Sequence, residues 1–420
     1  MAPKRVVITG IGMVSPLGLT AAESWKAALE GRSGIGPITL FDSAPLPVHI
    51  AGEVKGFTVD RLAPQFSPKD ARKLGRFALL GLAAGLEAYR DSGWEASRSL
   101  IGAERFGALI GSGIGGLPEI EQTAQDYKER GFKRISPFFI IQAIPNMTAG
   151  VLSLGLDLKG PNLCNVSACA SSAHSIGEAV RIIQRGDADV MLAGGAEAAV
   201  CGVGIGGFAA MRALSERNDA PERASRPFDR DRDGFVLGEG AGILVLETLE
   251  LARQRGARIY GEVVGYGLSA DAYHMAAPAP EAEGARRAMK SALADARLAP
   301  DAIGYVNGHS TSTPVGDIEE VRGIAHVFGP AAKGLPVSST KSMTGHTLGA
   351  AGAIEAIFST LAVVEGKLPP TANLDNVDPE CSQFGINFIP HRAIEKPIRY
   401  AMSNSFGFGG TNAALIIGRV

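Results

Sequence analysis

The chain has few of the features that mark several large classes of protein. Its 420 residues include only four cysteines, at positions 164, 169, 201 and 381, and their spacing matches no zinc ribbon and no Cys-x-x-Cys redox motif. So few cysteines over this length exclude a disulfide scaffold and favour a reducing compartment, so we expect a cytoplasmic protein. The net charge of −2 supplies no basic field, so we expect no nucleic-acid partner.

Membrane signals are also scarce. No apolar run approaches the length that a membrane span needs, and a strand begins within six residues of Met1, which leaves no room for a signal peptide. We therefore expect no membrane partner. Aromatic residues make up 6% of the chain and hydrophobic residues 45%, so the core must be built from Ala, Val, Leu and Ile. The 54 glycines, alongside so many apolar residues, indicate close helix packing and tight turns rather than disorder.

Short apolar runs that favour strands alternate with apolar helical runs, which predicts an α/β fold with mixed sheets covered by helices. Strands are predicted over residues 6–10, 106–110, 189–193 and 241–246, and helices over 77–89 and 176–183. The polar segment 120–137 is predicted to be an irregular surface excursion.

The order of elements begins again near residue 258, with predicted strands over 259–266 and 303–306 and a helix over 348–363. We therefore predict two similar halves, residues 1–255 and 256–420, whose central helices lie side by side. Three glycines in the second half, Gly345, Gly349 and Gly352, would permit that close approach. In this repeat the strand that ends at Gly111 corresponds to the one that ends at His309, and the Cys169 turn corresponds to the turn at 341–346.

Cys169 is the candidate nucleophile. It lies in residues 165–173, Asn-Val-Ser-Ala-Cys-Ala-Ser-Ser-Ala, where small neighbours leave room for a tight turn. If the following helix begins at or near Cys169, its free N–H groups and its dipole favour the thiolate at neutral pH. A thiolate suits acyl transfer from thioesters. The alternative is that Cys169 is a small buried hydrophobe, as most free cysteines are.

Two histidines are the candidate partners. The repeat puts His309 and His346 on turns at the same end of the sheets as Cys169, where α/β folds usually have their sites. The chain has only seven histidines, although any one of them could be structural. His174 lies five residues beyond Cys169, about 140° around a helix axis, so it faces away and is rejected as the base.

Three kinds of chemistry are open to this set. A Cys–His hydrolase would need an acid to orient the imidazole, and none is obviously placed; a Cys-His-His zinc site has no close pair of ligands in sequence. Both histidines could instead donate to the enolate oxygen of a thioester that has lost carbon dioxide. Lys341 could supply a positive field and Glu355 could pair with it, unless the two form a plain buried ion pair.

The acidic segment 226–235 resembles a calcium loop. Its aspartates at 229, 231 and 233 have the right spacing, but the bidentate glutamate that should end such a loop is missing. We therefore predict no metal site.

Four motifs together resemble the β-ketoacyl-[acyl-carrier-protein] synthases, and most closely the type II enzymes of bacterial fatty-acid synthesis. They are Val-Ser-Ala-Cys-Ala-Ser-Ser at 166–172, Asn-Gly-His-Ser-Thr-Ser-Thr-Pro-Val-Gly-Asp at 307–317, Lys-Ser-Met-Thr-Gly-His at 341–346 and Asn-Ser-Phe-Gly-Phe-Gly-Gly-Thr-Asn at 404–412. The resemblance runs from Arg5 to the end of the chain. It implies a thiolase-like duplicated fold with five layers, α-β-α-β-α, and a homodimer without a cofactor.

The implied reaction is a decarboxylative Claisen condensation of an acyl thioester with malonyl carrier protein, which lengthens the acyl chain by two carbons and releases CO2. The resemblance implies that Cys169 takes the acyl chain from its carrier protein. His309 and His346 would assist decarboxylation and stabilise the enolate, Lys341 would tune the site electrostatically, and Glu355 would brace it.

The resemblance also implies an oxyanion hole, a gate and binding residues. The backbone N–H groups of Cys169 and Phe406 would form the oxyanion hole, and Phe406 with the glycines after it would form a gate. Thr311 and Thr313 would hold the pantetheine arm. Ile114 and Phe208 would line the acyl pocket. A basic patch would meet the acidic acyl carrier protein: Lys69, Arg72 and Lys73. On charge alone that patch could equally be a solvated helix end.

The chain departs from the family pattern at Ser310, where the family usually has glycine, at Ala276–Ala277, where it often has polar residues, and at Gly75, where it often has a larger one. A degradative thiolase would need a second cysteine near the C-terminus, but the turn at 406–410 has none. A non-catalytic chain-length subunit would lack Cys169. A polyketide or specialised lipid synthase remains open, because the same residues serve it.

Overall fold

The computed structural model describes residues 4–420, which form a mixed α/β fold. The strands are β1 Val6–Val14, β2 Gly36–Pro37, β3 Ile50–Ala51, β4 Phe106–Gly111, β5 Asn162–Leu163, β6 Val190–Glu197, β7 Gly240–Thr248, β8 Gly261–Ala270, β9 Tyr305–Asn307, β10 Val337–Ser338, β11 Lys367–Leu368, β12 Ile394–Glu395, β13 Tyr400–Gly407 and β14 Thr411–Gly418. The α-helices are α1 Ala21–Leu29, α2 Pro68–Ala71, α3 Arg76–Asp91, α4 Trp94–Ser97, α5 Leu117–Arg130, α6 Phe139–Ala143, α7 Met147–Leu156, α8 Ser171–Arg185, α9 Gly202–Ala210, α10 Leu249–Gln254, α11 Glu283–Ala296, α12 Pro314–Phe328, α13 Lys341–Thr344, α14 Ala351–Glu365 and α15 Pro379–Ser382.

Ten of these strands form one sheet in the order β10-β9-β13-β14-β8-β1-β7-β6-β4-β5. The sheet consists of two five-stranded arms with the same internal pattern. From the middle of the sheet outward, the first three strands of each arm alternate in direction, and the last two are parallel to the third. The order is β1, β7, β6, β4, β5 in one arm and β8, β14, β13, β9, β10 in the other. The arms meet through only two residue pairs, Val7–Glu262 and Ile8–Gly261, so they can fold around a shared layer of helices.

Helices fill the space between the arms and cover both outer faces. The central layer is α8 and α14, which pack on each other and on strands of both arms. The outer layers are α3, against β1 and β7, and α11, against β8 and β14. The predicted five-layered α-β-α-β-α arrangement is therefore confirmed. The boundary at 255/256 falls between α10 and β8 and stays a prediction.

The two central helices approach each other closely where one of them has a glycine. A Cβ built on Gly352 of α14 would lie 2.9 Å from the Cβ of Ala173 in α8 and 2.7 Å from the Oγ of Ser405. Real Cβ atoms do not come this close to other atoms, so any side chain at this position would push the two halves apart.

Two expectations about helices were wrong. Residues 120–137 are largely helical, because α5 spans Leu117–Arg130 and packs on α6 and α9. Its apolar stripe, Leu117, Ile120, Ala124 and Tyr127, has helical spacing, but the stripe is narrow, none of its residues is buried and polar residues dominate the segment, so the helix was overlooked. The stretch Leu348–Glu365 does have the length and hydropathy of a membrane span, but 89% of it is buried inside the fold. It is apolar because it is the central helix, with protein on every side.

The internal repeat also needs one correction. The strands that end at Gly111 and near His309, β4 and β9, do occupy equivalent places in the two arms. The Cys169 turn, however, matches residues Leu348–Ala350 rather than 341–346, because both are single 3-10 turns that lead directly into a central helix. Each turn also has a residue with positive φ, 49° at Ala168 and 47° at Leu348. Residues other than glycine adopt such φ values only where the surrounding structure holds the backbone in place.

Candidate active site

Three loops bring Cys169, His309 and His346 together. Cys169 lies in the 3-10 turn before α8, His309 follows β9, and His346 follows α13. The Nε2 of His346 lies 3.0 Å from the Sγ of Cys169, and the two imidazole rings meet edge to face with their centres 5.3 Å apart. One sulfur or ring-nitrogen atom from each of the three residues lies within 4.8 Å of the others. The convergence expected from the repeat is therefore present.

A cavity of about 460 Å³ leads to this cluster. Cys169, His309 and His346 all line it. Its remaining wall is mostly apolar and includes two phenylalanines, Phe208 and Phe408, whose ring centres lie 6.4 Å apart. Because most of this wall is apolar, electrostatic interactions between the cluster and a reacting group in the cavity would be screened less than in water.

The resting state of Cys169 differs from the expected thiolate. Burial raises the pKa of the Cys169 thiol to about 12, although the charge of Lys341 and the backbone N–H groups of Phe408 and Cys169 act in the opposite direction. The expectation considered the helix terminus alone, and burial outweighs it. At neutral pH the residue is therefore a thiol that lies against an imidazole.

This state predicts how Cys169 reacts with a simple alkylating agent. Only the thiolate reacts, and its share rises about tenfold per pH unit while the pH is below the pKa. The rate of modification of Cys169 by iodoacetamide, measured by peptide mass spectrometry, should therefore climb steadily from pH 7 to pH 10. A rate that levels off between pH 6 and pH 8 would show a stable thiolate and contradict the assignment.

Both histidines are neutral at physiological pH. Burial, together with the positive charge of Lys341, lowers the pKa of each imidazole well below its usual value. Neither Nδ1 atom has a hydrogen-bond partner among residues 4–420. A proton on Nδ1 would be a buried donor without an acceptor, so we place the proton of each ring on Nε2. The Nε2–H of His346 is then directed at the sulfur.

Lys341 and Glu355 form a buried ion pair behind the cluster. The Nζ of Lys341 donates to Oε1 of Glu355, and both side chains are almost fully buried. Burial raises the pKa of Glu355 to about 7, against the lowering effect of Lys341. The positive charge of Lys341 lowers the pKa of the Cys169 thiol and of both imidazoles.

Sequence reasoning missed Glu320, which fixes the His309 loop. Its carboxylate accepts from the backbone N–H of His309 at 2.9 Å, from the backbone N–H of Ser310 at 2.6 Å and from the Oγ of Ser310 at 2.7 Å. Asn404 donates to the same carboxylate at 3.0 Å. The serine that departs from the family pattern thus adds a hydrogen bond to this bracket. The sequence did contain a signal for this contact: two acids, Asp317 and Glu320, lie three residues apart on the apolar face of a helix.

Glu197 was also missed, and it ties the two halves together beside the nucleophile. This buried carboxylate accepts from the Oγ of Ser112 at 2.9 Å and from the backbone N–H groups of Gly113 at 2.6 Å and Gly349 at 3.0 Å. Gly349 belongs to the 3-10 turn that is equivalent to the Cys169 turn. The sequence places Glu197 at the end of a buried strand, where an acid needs such partners.

The oxyanion hole requires a correction. The backbone N–H that lies near the Cys169 sulfur, besides its own, belongs to Phe408 rather than Phe406. Phe406 lies within β13, paired with Asn412 of β14, and its ring packs on His309 with centres 5.8 Å apart. Phe408 follows in the glycine-rich turn and is 39% exposed, so it is the aromatic residue with room to move.

The expected substrate-binding residues are divided between two places. Thr311, Thr313 and Phe208 line the cavity, with the two threonine hydroxyls 3.2 Å apart. Ile114 does not line it; it packs against the apolar cluster that contains Cys169. Ala276–Ala277 also line the cavity, and their backbone N–H groups both donate to the Nδ1 of His274 at 3.0 Å.

The basic patch lies around α2. Lys69 and Arg72 are exposed, whereas Lys73 is half-buried, pairs with Asp70 at 2.7 Å and lies over the ring of Phe138. Nearby Gly75 has a steric explanation, because a Cβ there would lie 2.4 Å from the carbonyl oxygen of Gln142.

Three rejected alternatives can be compared with the structure. The Nδ1 of His174 is 2.7 Å from the Oγ of Ser167 and its ring packs on Tyr266, so it is not the partner of Cys169. In the acidic segment 226–235, the Asp229 carboxylate is occupied by Arg226 and by backbone N–H groups, and no calcium-type cluster occurs within residues 4–420. Cys381 is buried in a different apolar cluster from Cys169, so it cannot act as a second catalytic cysteine.

Comparison with known families decides between the remaining possibilities. Residues 3–252 match the model described as beta-ketoacyl synthase, N-terminal domain, and residues 260–375 match the corresponding C-terminal domain. The chain belongs to the β-ketoacyl synthase family. It is 52% identical, over 100% of both chains, to a protein of Vibrio cholerae serotype O1 named 3-oxoacyl-[acyl-carrier-protein] synthase 2. The condensing activity expected from the motifs is therefore confirmed, and this β-ketoacyl synthase is an acyltransferase.

Solved structures of other ketosynthases agree with this assignment. A beta-ketoacyl synthase from Burkholderia phymatum has a TM-score of 0.90 and 39% identity, covering 99% of this chain and 100% of its own. A type II PKS acyl-carrier protein in complex with its ketosynthase, bound to the hexaketide, gives a TM-score of 0.90 at 32% identity over 100% of both chains. The predicted thiolase-like fold is confirmed by these similarities.

Proposed function

We propose that this β-ketoacyl synthase elongates acyl chains carried by acyl carrier protein, with Cys169 as the acyl acceptor. In the first half-reaction the sulfur attacks the thioester carbonyl of the acyl carrier protein, the bond to the carrier sulfur breaks, and the Cys169 proton passes to the departing carrier thiolate. One S–H is lost and one is formed, so no external acid or base is consumed. The N–H groups of Cys169 and Phe408 are suited to stabilise the intermediate oxyanion.

In the second half-reaction malonyl carrier protein loses CO2 beside the acyl-enzyme. The electron pair left by the departing carboxylate forms an enolate, whose oxygen accepts hydrogen bonds from the Nε2–H groups of His309 and His346. The enolate carbon attacks the acyl carbonyl and the C–S bond to Cys169 breaks, which releases a β-ketoacyl chain two carbons longer. The departing Cys169 thiolate then takes up one proton from solvent, which restores the thiol for the next cycle. Lys341 favours both the enolate and the sulfur anion, since each is negative in a buried site.

The single observation that carries this proposal is the position of the neutral His346 against the Cys169 sulfur, with His309 beside it. Two neutral imidazoles that carry their protons on Nε2 can donate to a developing anion without an orienting acid. Incubation with malonyl carrier protein and a series of acyl carrier proteins tests the function directly. Absence of β-ketoacyl product and of CO2 with every acyl length would refute it. Selective extension of poly-β-keto chains alone would indicate a polyketide synthase instead.

Acyl length is proposed to depend on Ile114, next to the Cys169 cluster. Phe208, which belongs to the same apolar cluster as Ile114, lines the cavity beside Cys169. Ile114→Phe should fill part of it and shorten the longest accepted acyl chain, as measured by product chromatography. An unchanged product distribution would remove Ile114 from the acyl pocket.

The carrier protein is proposed to dock on Lys69 and Arg72. Within residues 4–420 neither forms an ion pair, so both charges are available to an acidic partner. The double variant Lys69→Glu, Arg72→Glu should raise KM for carrier-bound substrates about tenfold, because rim charges govern encounter, and leave kcat unchanged. A small thioester substrate should be used equally well by both forms.

The matched control reverses two exposed charges elsewhere, Arg392→Glu with Lys396→Glu, beside the short β11–β12 pair that follows the end of α14. This pair changes the net charge by the same amount. If both double variants raise KM alike, the effect comes from overall charge and docking at Lys69 and Arg72 is wrong.

A homodimer in the cytoplasm is also proposed. β5 is the last strand of the large sheet, so one of its edges is unpaired, and apolar side chains surround it: Leu163 is 50% exposed and Leu154 81%. An open edge among exposed apolar groups favours pairing with a second copy. A sedimentation experiment that shows a monomer at micromolar concentration would contradict the dimer.

The proposed location rests on the cysteines. All four are free, which suits a reducing compartment such as the cytoplasm. Recovery of the protein from an oxidising compartment would contradict that location.

A further inference from the structure

We propose that Cys169, His309 and His346 together bind a soft divalent cation such as Zn²⁺, which reversibly blocks the enzyme. The ion is proposed as an inhibitor, not as a cofactor of the condensation. The proposal starts from the geometry: the three side chains come from three separate loops, and one donor atom of each lies within 4.8 Å of the other two. One sulfur and two imidazole nitrogens are donors that Zn²⁺ prefers.

The separations suit a tetrahedral ion after small movements. Zinc bonds of about 2.3 Å to sulfur and about 2.0–2.1 Å to nitrogen place the donor atoms about 3.4–3.6 Å apart. The Cys169 sulfur and the His346 Nε2 are 3.0 Å apart and the widest pair is within 4.8 Å, so the required shifts are about 1 Å or less at each side chain. The two rings are inclined at 83°, so they approach a shared ion from different directions.

Access and the fourth position are provided by the cavity. All three residues line it, so an ion can enter from solvent and keep a water molecule on its open side. Three protein ligands with one open position is the usual coordination of zinc in enzyme sites. On binding, the S–H bond of Cys169 breaks, a zinc–sulfur bond forms, and the proton leaves to solvent. His346 releases its Nε2 proton to solvent and takes one up on Nδ1, so that the lone pair of Nε2 can bind the ion and the ring stays neutral. No oxidant or reductant is needed.

The surroundings limit the affinity, which is why the ion is an inhibitor and not a permanent component. Metal-binding histidines normally donate their second N–H to an acceptor, but neither Nδ1 here has a partner within the described residues. Nearby Lys341 repels a cation, while the buried carboxylate of Glu197 partly offsets this. We therefore expect a readily reversible complex that a chelator removes.

The test uses the full enzyme with ZnCl2 and follows alkylation of Cys169, not condensation. At a Zn²⁺ concentration about ten times the dissociation constant, roughly one molecule in eleven is free of the ion, so iodoacetamide should modify Cys169 about tenfold more slowly. EDTA should restore the original rate. Because the readout is chemical modification, the result does not depend on the catalytic roles proposed above, and failure of one proposal leaves the other standing.

Variants and a second cation identify the ligands. His309→Ala and His346→Ala should each lose most of the protection, and thermal unfolding of each variant checks that it remains folded. Cys164→Ala, a matched change of a half-buried cysteine outside the cluster, should keep full protection. Mg²⁺ should give none, because it prefers oxygen ligands. Co²⁺ should produce thiolate-to-metal absorption in the wild type that Cys169→Ser lacks. Unchanged alkylation with Zn²⁺, or equal protection in the histidine variants, would overturn the proposal.

Discussion

Cys169→Ala should reduce condensation by more than about 10⁴-fold, to the background of the uncatalysed reaction, because no other group can hold the acyl chain. The other three cysteines cannot replace it: Cys201 and Cys381 are buried, and none of the three lines the cavity. The measurement is formation of β-ketoacyl carrier protein, with intact-protein mass spectrometry to detect the acyl-enzyme.

The same variant separates the two half-reactions. His309, His346 and Lys341 stay in place, so decarboxylation of malonyl carrier protein should continue while condensation stops. Cys164→Ala is the matched control and should retain normal condensation. An acyl adduct that still forms on the Cys169→Ala enzyme would show that the nucleophile lies elsewhere.

His346→Ala should reduce decarboxylation by about 10²–10³-fold, the usual loss when one donor to a developing oxyanion is removed. Acylation of Cys169 should fall much less, because the N–H groups of Cys169 and Phe408 still serve that step and the sulfur keeps the nearby charge of Lys341. The acyl-enzyme should therefore accumulate. Release of CO2 and the mass of the acylated protein, followed in the same reaction, measure the two steps separately.

The control for this variant is His326→Ala, which removes an exposed histidine that contacts Arg286. It should change neither step. A His346→Ala enzyme that stays unacylated under the same conditions would mean that His346 acts mainly on the nucleophile. That result would assign it to thiol activation instead of enolate stabilisation.

Much of the fold and of the cluster could be predicted because the pattern is local. The mainly apolar strand β1 and the small-residue run around Cys169 are properties of short segments, and the second half repeats their order. The position of His309 follows from that order, since it lies after β9, the equivalent of β4. The pairing that was used to place His346 was wrong, because the Cys169 turn is equivalent to Leu348–Ala350. The helix α5 was missed because its apolar stripe is narrow and exposed, and polar residues dominate the segment.

The amino-acid sequence by itself determined which three side chains are the catalytic candidates, Cys169, His309 and His346, the duplicated order of strands and helices, and the membership of a condensing-enzyme family. Only the tertiary structure decided the protonation of Cys169 and the identity of Phe408 as the donor near its sulfur. It also revealed Glu320 and Glu197 as the acids that hold the loops. The reason is physical: burial and hydrogen bonding between distant segments control the pKa of a thiol and the partners of a buried carboxylate, and neither is a property of residues adjacent in sequence.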